Sequence, residues 1–138
     1  MFGWSALPGK KSKMSELTLL IVDDEVDMVE LVQVAFERRG YAVIGALNGR
    51  DGLRLACEHR PAIILVDLML PEIDGFELCR QLRANPITAR IPVVILSARD
   101  SLVDQADALA AGADRYLAKS VGRKVLAGGV DGLIGSAV

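Results

Sequence analysis

The feature that most constrains this chain is a rhythm: from Leu17 onward, short and nearly continuous apolar runs alternate with amphipathic segments. Leu17–Val22 reads as a strand. Val26–Arg38 places apolar residues at Val26, Val29, Val32, Val34 and Phe36, a roughly helical spacing that Gly40 stops. Tyr41–Ala46 is a second strand. Asn48-Gly49 opens a helix through His59, with Leu53, Leu55 and Ala56 inward, and Pro61 breaks it. Ala62–Val66 is a third strand ending in Asp67. The loop LMLPEIDG leads to a helix from about Phe76 to Ala84, closed by Asn85-Pro86. Pro92–Leu96 is a fourth strand, followed by Ser97. Ser101–Ala111 is an Ala-rich helix that stops at Gly112. Arg115–Ala118 is a short fifth strand with Lys119 at its end, and a last helix is expected from about Val121.

Strict alternation of strands and helices implies a parallel sheet with helices on both faces. Continuous apolar strands agree, because strands of such a sheet are buried on both sides. With right-handed crossovers the fold class is α/β, a doubly wound five-stranded sheet. The last helix is the weakest element. Gly122, Gly128, Gly129, Gly132 and Gly135 crowd it, and each interior glycine costs about 1 kcal/mol. Val121, Val125, Val130, Leu133 and Ile134 still mark one side, so a helix that is short, frayed or dependent on packing is expected.

A chain of 138 residues supports one domain with a proper core. Its 16 basic and 18 acidic side chains give a net charge of −2, which supplies no basic footprint for nucleic acid and no polybasic membrane patch. The apolar runs are too short to span a bilayer. Cys57 and Cys79 show no metal or disulfide pattern and there is no export signal, which points to free, packed thiols and a cytoplasmic location. Residues 1–13, MFGWSALPGKKSK, carry Pro8, glycines and lysines without periodicity. They read as a disordered leader or tag, with the domain proper over residues 14–138.

The chemistry gathers at strand ends. In LLIVDDEVDM, four apolar residues suited to a buried strand run into Asp23, Asp24 and Glu25. Side by side these carboxylates repel, and burying any of them is costly. In a doubly wound sheet the ligand crevice lies outside the carboxyl ends of the strands. That rim would also carry Asp67, Ser97 and Lys119. A carboxylate cluster suits a hard cation, and Mg²⁺ fits best because it takes few carboxylates and keeps positions for water and phosphate. Metal and lysine together suit phosphoryl transfer. Asp67, alone on the central strand, is then a candidate nucleophile that would form an acyl phosphate, with Ser97 as a hydrogen-bond donor to it. The plainer alternative is that Asp23, Asp24 and Glu25 cap the first helix, where acids are favoured.

The segments VDDE, LVDLMLPEIDGFELCRQLR, PVVILSA and DRYLAK, in this order, resemble the receiver domain of two-component response regulators from Leu17 to Lys119. The resemblance implies a flavodoxin-like sheet of order 2-1-3-4-5. It implies that Asp67 is the phosphoacceptor and that Asp24 and Asp67 bind Mg²⁺ through side chains, Met69 through its backbone carbonyl and Asp23 through a metal-bound water. Lys119 would bridge to the phosphoryl group, Ser97 would move toward it, and Tyr116 would change rotamer when Ser97 moves. Pro71 and Gly75 match the turn after the acceptor strand. The implied partners are a histidine kinase or histidine phosphotransfer protein and a downstream protein effector, with no direct DNA binding, no membrane, and a homodimer on phosphorylation left open.

Two departures stand out. Ser120 follows Lys119 where the family usually has proline, often after a cis bond, and the glycine-rich last helix puts the usual dimer face of helix 4, strand 5 and helix 5 in doubt. Ser120 favours the alternative of a degenerate receiver acting as a phosphorylation-independent docking module. An aspartate-nucleophile phosphatase is a third reading, since Asp23 and Glu25 stand two apart, but Glu25 is the wrong acid. His59, the lone histidine, is expected at the exposed end of the second helix without a catalytic role. Glu72 and Asp74 are expected to be solvated loop acids, and Arg99 and Asp100 to lie beside the rim.

Overall fold

The computed structural model describes residues 17–99, 101–120 and 122–137. The expected leader over residues 1–13, its junction at Met14, and Asp100 and Val121 lie outside the described residues. Strands β1 (Leu17–Val22), β2 (Tyr41–Ala46), β3 (Ile63–Asp67), β4 (Val93–Ser97) and β5 (Arg115–Ala118) alternate with helices α1 (Val26–Glu37), α2 (Gly49–His59), α3 (Gly75–Ala84), α4 (Leu102–Ala110) and α5 (Arg123–Ala137). The strands form one parallel sheet of order β2-β1-β3-β4-β5. This is the doubly wound flavodoxin-like topology expected of the alternation and the resemblance.

Successive side chains of a strand point to opposite faces, and the core divides accordingly. Leu20, Val22, Ile64, Val66, Val93 and Ile95 pack with Ala56 of α2, Leu78, Cys79 and Leu82 of α3 and Ala108 of α4. Leu19, Ile21, Ile63, Leu65, Val94 and Leu96 pack on the other face with Val29, Val32 and Phe36 of α1 and Leu126, Val130 and Ile134 of α5. Val26 and Val34, expected inward on α1, are exposed. Burial at 29, 32 and 36 fixes the inward stripe, and Val34 stands two residues, about 200° of helical turn, from Val32.

Strand and helix ends differ from the sequence expectation by a residue or so, and some of the differences carry meaning. Asp67 and Ser97 are the last residues of β3 and β4 instead of following them, so the sheet register holds both, opposite Leu96 and Ala118. Asp74 is exposed, as expected of a solvated acid, and it also caps α3, its Oδ1 accepting the Glu77 N–H at 2.9 Å. Ser101 likewise caps α4, accepting from Asp104 N–H at 3.2 Å, and stands outside the helix. Arg83, which the sequence did not single out, donates from its guanidinium to the carbonyls of Gly112 at 2.8 Å and Ile91 at 2.6 Å and to Asp114 at 2.9 Å. Asp114 in turn accepts the Val93 N–H at 2.9 Å, so this hub fixes where β4 and β5 enter the sheet.

Helix α5 is not short: it runs from Arg123 to Ala137. Burial of Leu126, Val130 and Ile134 contributes about 1.5–3 kcal/mol per side chain, which outweighs about 1 kcal/mol for each interior glycine. Val125, expected inward, is exposed, because the buried residues recur every four positions and Val125 stands about 100° from Leu126. Asp131 pins the middle of the helix, accepting from the Tyr41 hydroxyl at 3.0 Å and pairing with Arg39. Burial, then the hydrogen bond to and the charge of Asp131, pushes the Tyr41 phenol up to about 12.

A Cβ on Gly128 would meet nothing within 4 Å, whereas one on Gly129 would stand 3.3 Å from Leu117 Cδ1. Gly128→Ala is therefore expected to raise the unfolding free energy by about 0.5–1 kcal/mol, with a smaller gain for Gly129→Ala, as read by urea denaturation.

Candidate functional site

The parallel register brings the carboxyl ends of β1, β3, β4 and β5 to one rim. Asp23 follows β1, and its backbone N–H donates to the Ala46 carbonyl at 3.0 Å, which carries the chain into the crevice. Its side chain is fully buried, and Oδ1 accepts the Glu25 N–H at 2.9 Å. Asp24 next to it is exposed. Asp67 is 3% exposed. Behind it the β3–α3 loop folds back so tightly that a Cβ on Gly75 would lie 2.8 Å from the Asp67 carbonyl oxygen. Glycine is needed there because backbone atoms cannot yield.

Lys119 reaches across the rim from the end of β5. Its Nζ lies 2.9 Å from Asp23 Oδ2, 2.9 Å from Glu25 Oε1 and 3.2 Å from Asp67 Oδ1. The Glu25 contact is an aligned hydrogen bond. The Asp23 contact is a close ion pair to an oxygen that is itself fully buried. No cis peptide bond occurs among the described residues, so Lys119–Ser120 is trans. The departure at Ser120 does not draw the lysine away from Asp67.

Burial is the main influence on both buried carboxyls. It pushes Asp23 and Asp67 above the usual carboxylate range despite the counteracting lysine. For Lys119 burial disfavours the ammonium, but the contacts with Asp23 and Glu25 and the charge of Asp67 win, and it is held well above the usual lysine value. The lysine is thus a permanent cation, and the two buried carboxylates are under-compensated by it.

One carboxylate oxygen from each of Asp23, Asp24 and Asp67 lies within 4.8 Å of the others. With Asp23 and Asp67 buried, this oxygen-only set fits a small hard cation such as Mg²⁺. Helix capping, the plainer alternative for the acidic triplet, is not what these side chains do: Glu25 stands at the N-cap of α1 without a side-chain cap hydrogen bond.

Ser97 is fully buried, and its Oγ accepts the Arg99 N–H at 3.0 Å. The Tyr116 hydroxyl donates to the Arg99 carbonyl at 2.8 Å. Ser97 and Tyr116 thus hold the two ends of one loop residue. The Ser97 carbonyl also accepts the Lys119 N–H at 2.7 Å. The Met69 side chain points outward, 58% exposed, and the Met69 backbone N–H favours the ionised Asp67 carboxyl against the effect of burial. Every expected site residue therefore lies at this rim or adjoins it. The sequence reading did not pair Glu25 with Lys119, because nothing in its position announces that Lys119 lies 94 residues away in sequence but 2.9 Å away in space. His59 is exposed in the last turn of α2, away from this rim.

With that geometry in hand, comparison with known proteins is decisive. Residues 19–131 match the response regulator receiver domain family. The chain belongs to that family. This receiver is 39% identical over 109 residues to the transcriptional regulatory protein AfsQ1 of Streptomyces coelicolor, covering 79% of this chain and 47% of that protein. It is 42% identical over 101 residues to the alkaline phosphatase synthesis transcriptional regulatory protein PhoP of Bacillus subtilis, covering 73% of this chain and 41% of that protein. The receiver therefore spans less than half the length of these relatives. Among solved structures, a response regulator from Chloroflexus aurantiacus superposes with a TM-score of 0.83 at 31% identity, covering 88% of this chain and 99% of that one. The receiver domain of a sensor histidine kinase from Pseudomonas aeruginosa superposes with a TM-score of 0.80 at 30% identity, covering 88% and 99%, and is described with magnesium coordinated in its active-site cleft. No helix among the described residues is long and apolar enough to cross a membrane.

The raised carboxyl values carry a sign. A carboxyl whose folded value lies above its unfolded one favours the protonated form, so its contribution is greatest below the unfolded value and is lost as pH rises through the folded value. At neutral pH the ionised Asp67 is a burden on the metal-free fold. Asp67→Asn is expected to raise the melting temperature in EDTA and to shrink the further rise on adding Mg²⁺, both read by thermal denaturation.

Proposed function

We propose that this receiver accepts a phosphoryl group on Asp67 from a phosphohistidine of a partner histidine kinase or phosphotransfer protein, and that the acyl phosphate switches a protein-interaction surface. The observation that carries the reading is the Lys119 ammonium 3.2 Å from the nearly buried Asp67, beside a carboxylate set suited to a divalent ion. A cation without access to oxygen ligands and a nucleophile without a neighbouring cation would each be poorly suited to a transferring phosphoryl group, and here the two meet at a rim open to a partner.

Asp67 attacks phosphorus in line, an oxygen–phosphorus bond forms, and the nitrogen–phosphorus bond to the donor imidazole breaks. Lys119 donates to an equatorial oxygen, exchanging one of its carboxylate contacts for the phosphoryl group. Asp24 and Asp67 by their carboxylates and Met69 by its carbonyl would hold Mg²⁺, with Asp23 acting through a bound water. When bound, the ion supplies charge neutralisation on the phosphoryl oxygens. Ser97 then turns its hydroxyl to the phosphoryl group and gives up the Arg99 N–H, and Tyr116, whose hydroxyl holds the Arg99 carbonyl in the resting state, changes rotamer with it. The loop leading into α4 is thereby re-set, which gives the acyl phosphate a route to a two-state surface.

Ser120 was the feature favouring a phosphorylation-independent docking module, and Lys119 reaches Asp67 with Ser120 in place. Glu25, the acid that a phosphatase reading would use, is occupied by Lys119. Neither alternative gains support from the geometry.

Incubation with Mg²⁺ and a small phosphodonor, followed by intact mass spectrometry, is expected to show a single phosphate adduct that is absent in Asp67→Asn. No adduct on the unaltered protein would overturn the reading. Met69 presents no polar side-chain group to orient a hydrolytic water, so phospho-Asp67 is expected to be long-lived. Met69→Asn should shorten its lifetime, as followed by loss of the adduct with time in Mg²⁺ buffer.

A further inference from the structure

Glu25 lies outside the set of carboxylates suited to the metal, yet its side chain accepts a hydrogen bond from Lys119 at 2.9 Å. We infer that Glu25 is a positioning residue that holds Lys119 at the mouth of the site and competes with the incoming phosphoryl group for its ammonium. The inference rests on the reading of Asp67 as phosphoacceptor.

The geometry makes Glu25 the replaceable partner. Asp23 and Asp67 are nearly or fully buried, so their positions are fixed by the sheet. The Glu25 side chain is 66% exposed while that of Lys119 is 17% exposed, so the carboxylate reaches in from solvent toward a half-enclosed ammonium. Glu25 is free to do so because its side chain caps nothing on α1. Its backbone is held, with the N–H on Asp23 Oδ1 at 2.9 Å and the carbonyl accepting from Met28 N–H at 3.0 Å and Val29 N–H at 3.2 Å. A fixed backbone with a swinging carboxylate suits a tether that can be displaced without moving the metal ligands.

An ammonium has three donors, and in the resting state three carboxylates face them. A phosphoryl oxygen must displace one. The exposed contact is the weakest to lose, because exposed ion pairs contribute little and reorganise readily. Until it is displaced, Glu25 withholds a donor from the transferring group. The residue therefore slows phosphorylation while keeping the lysine over the site.

The test compares the unaltered protein with Glu25→Gln and Glu25→Asp, each phosphorylated with acetyl phosphate and Mg²⁺ and followed by intact mass spectrometry. Glu25→Gln keeps the length and removes the charge. Glu25→Asp keeps the charge but falls one methylene short of Lys119. Competition for the ammonium predicts that both variants react faster, by about three-fold, the scale of one exposed ion pair. Acceleration of Glu25→Gln alone would assign the effect to charge near the mouth and overturn the inference, as would an unchanged or slower rate in both. Melting temperatures with Mg²⁺ establish that the variants are folded. Absence of an adduct on the unaltered protein would instead remove the phosphoacceptor reading on which the inference rests.

Discussion

The site depends on one ammonium group. Asp23 and Asp67 are buried at the carboxyl edge of the sheet, where two close carboxylates repel and lose solvation. Lys119 is the side-chain cation whose contacts offset them. Two strand spacings, about 10 Å, separate β5 from β3, so a long side chain is needed to bring the charge over. The lysine only partly offsets the burial of the two carboxyls, as their raised values show. That imbalance makes the rim chemically suited to a second cation, and it arises from the fold rather than from any one residue.

The same lysine ties the site to its surroundings. Its backbone N–H rests on the Ser97 carbonyl, while Ser97 Oγ and the Tyr116 hydroxyl hold the two ends of Arg99. The Arg99 guanidinium pairs at 2.9 Å with Asp104 in the first turn of α4. A short chain of polar contacts therefore runs from the crevice to the start of a helix whose outer face carries exposed Leu102, Val103 and Leu109. Ser97 is thus connected to that face through contacts of the loop residue Arg99.

Much of this was legible before any coordinates. Periodicity identified every strand and helix, because buried parallel strands are continuously apolar and their helices are striped. The positions of Asp23, Asp67, Ser97 and Lys119 at strand ends could be read directly, and a doubly wound topology sends all such ends to one rim. The failures share a cause. Val26, Val34 and Val125 are apolar but exposed, since composition does not say which way a helix is rotated about its axis. The capping role of Asp74 went unread because a cap is defined by the helix it begins. Of the outcomes the glycines of α5 left open, dependence on packing is the one observed: burial of Leu126, Val130 and Ile134 and the Asp131 contacts support a helix from Arg123 to Ala137.

The sequence by itself determined the fold class, the family resemblance and the identity of the chemical groups, because each is written in local pattern and motif. Only the tertiary structure decided how those groups share one cation. It showed that the trans Lys119–Ser120 bond leaves the lysine within reach of Asp67, that the fully buried Asp23 shares that lysine, and that Glu25 turns to the lysine instead of to its helix. These are contacts between residues far apart in the chain. Their geometry is set by sheet register and helix placement, and no local spacing encodes them.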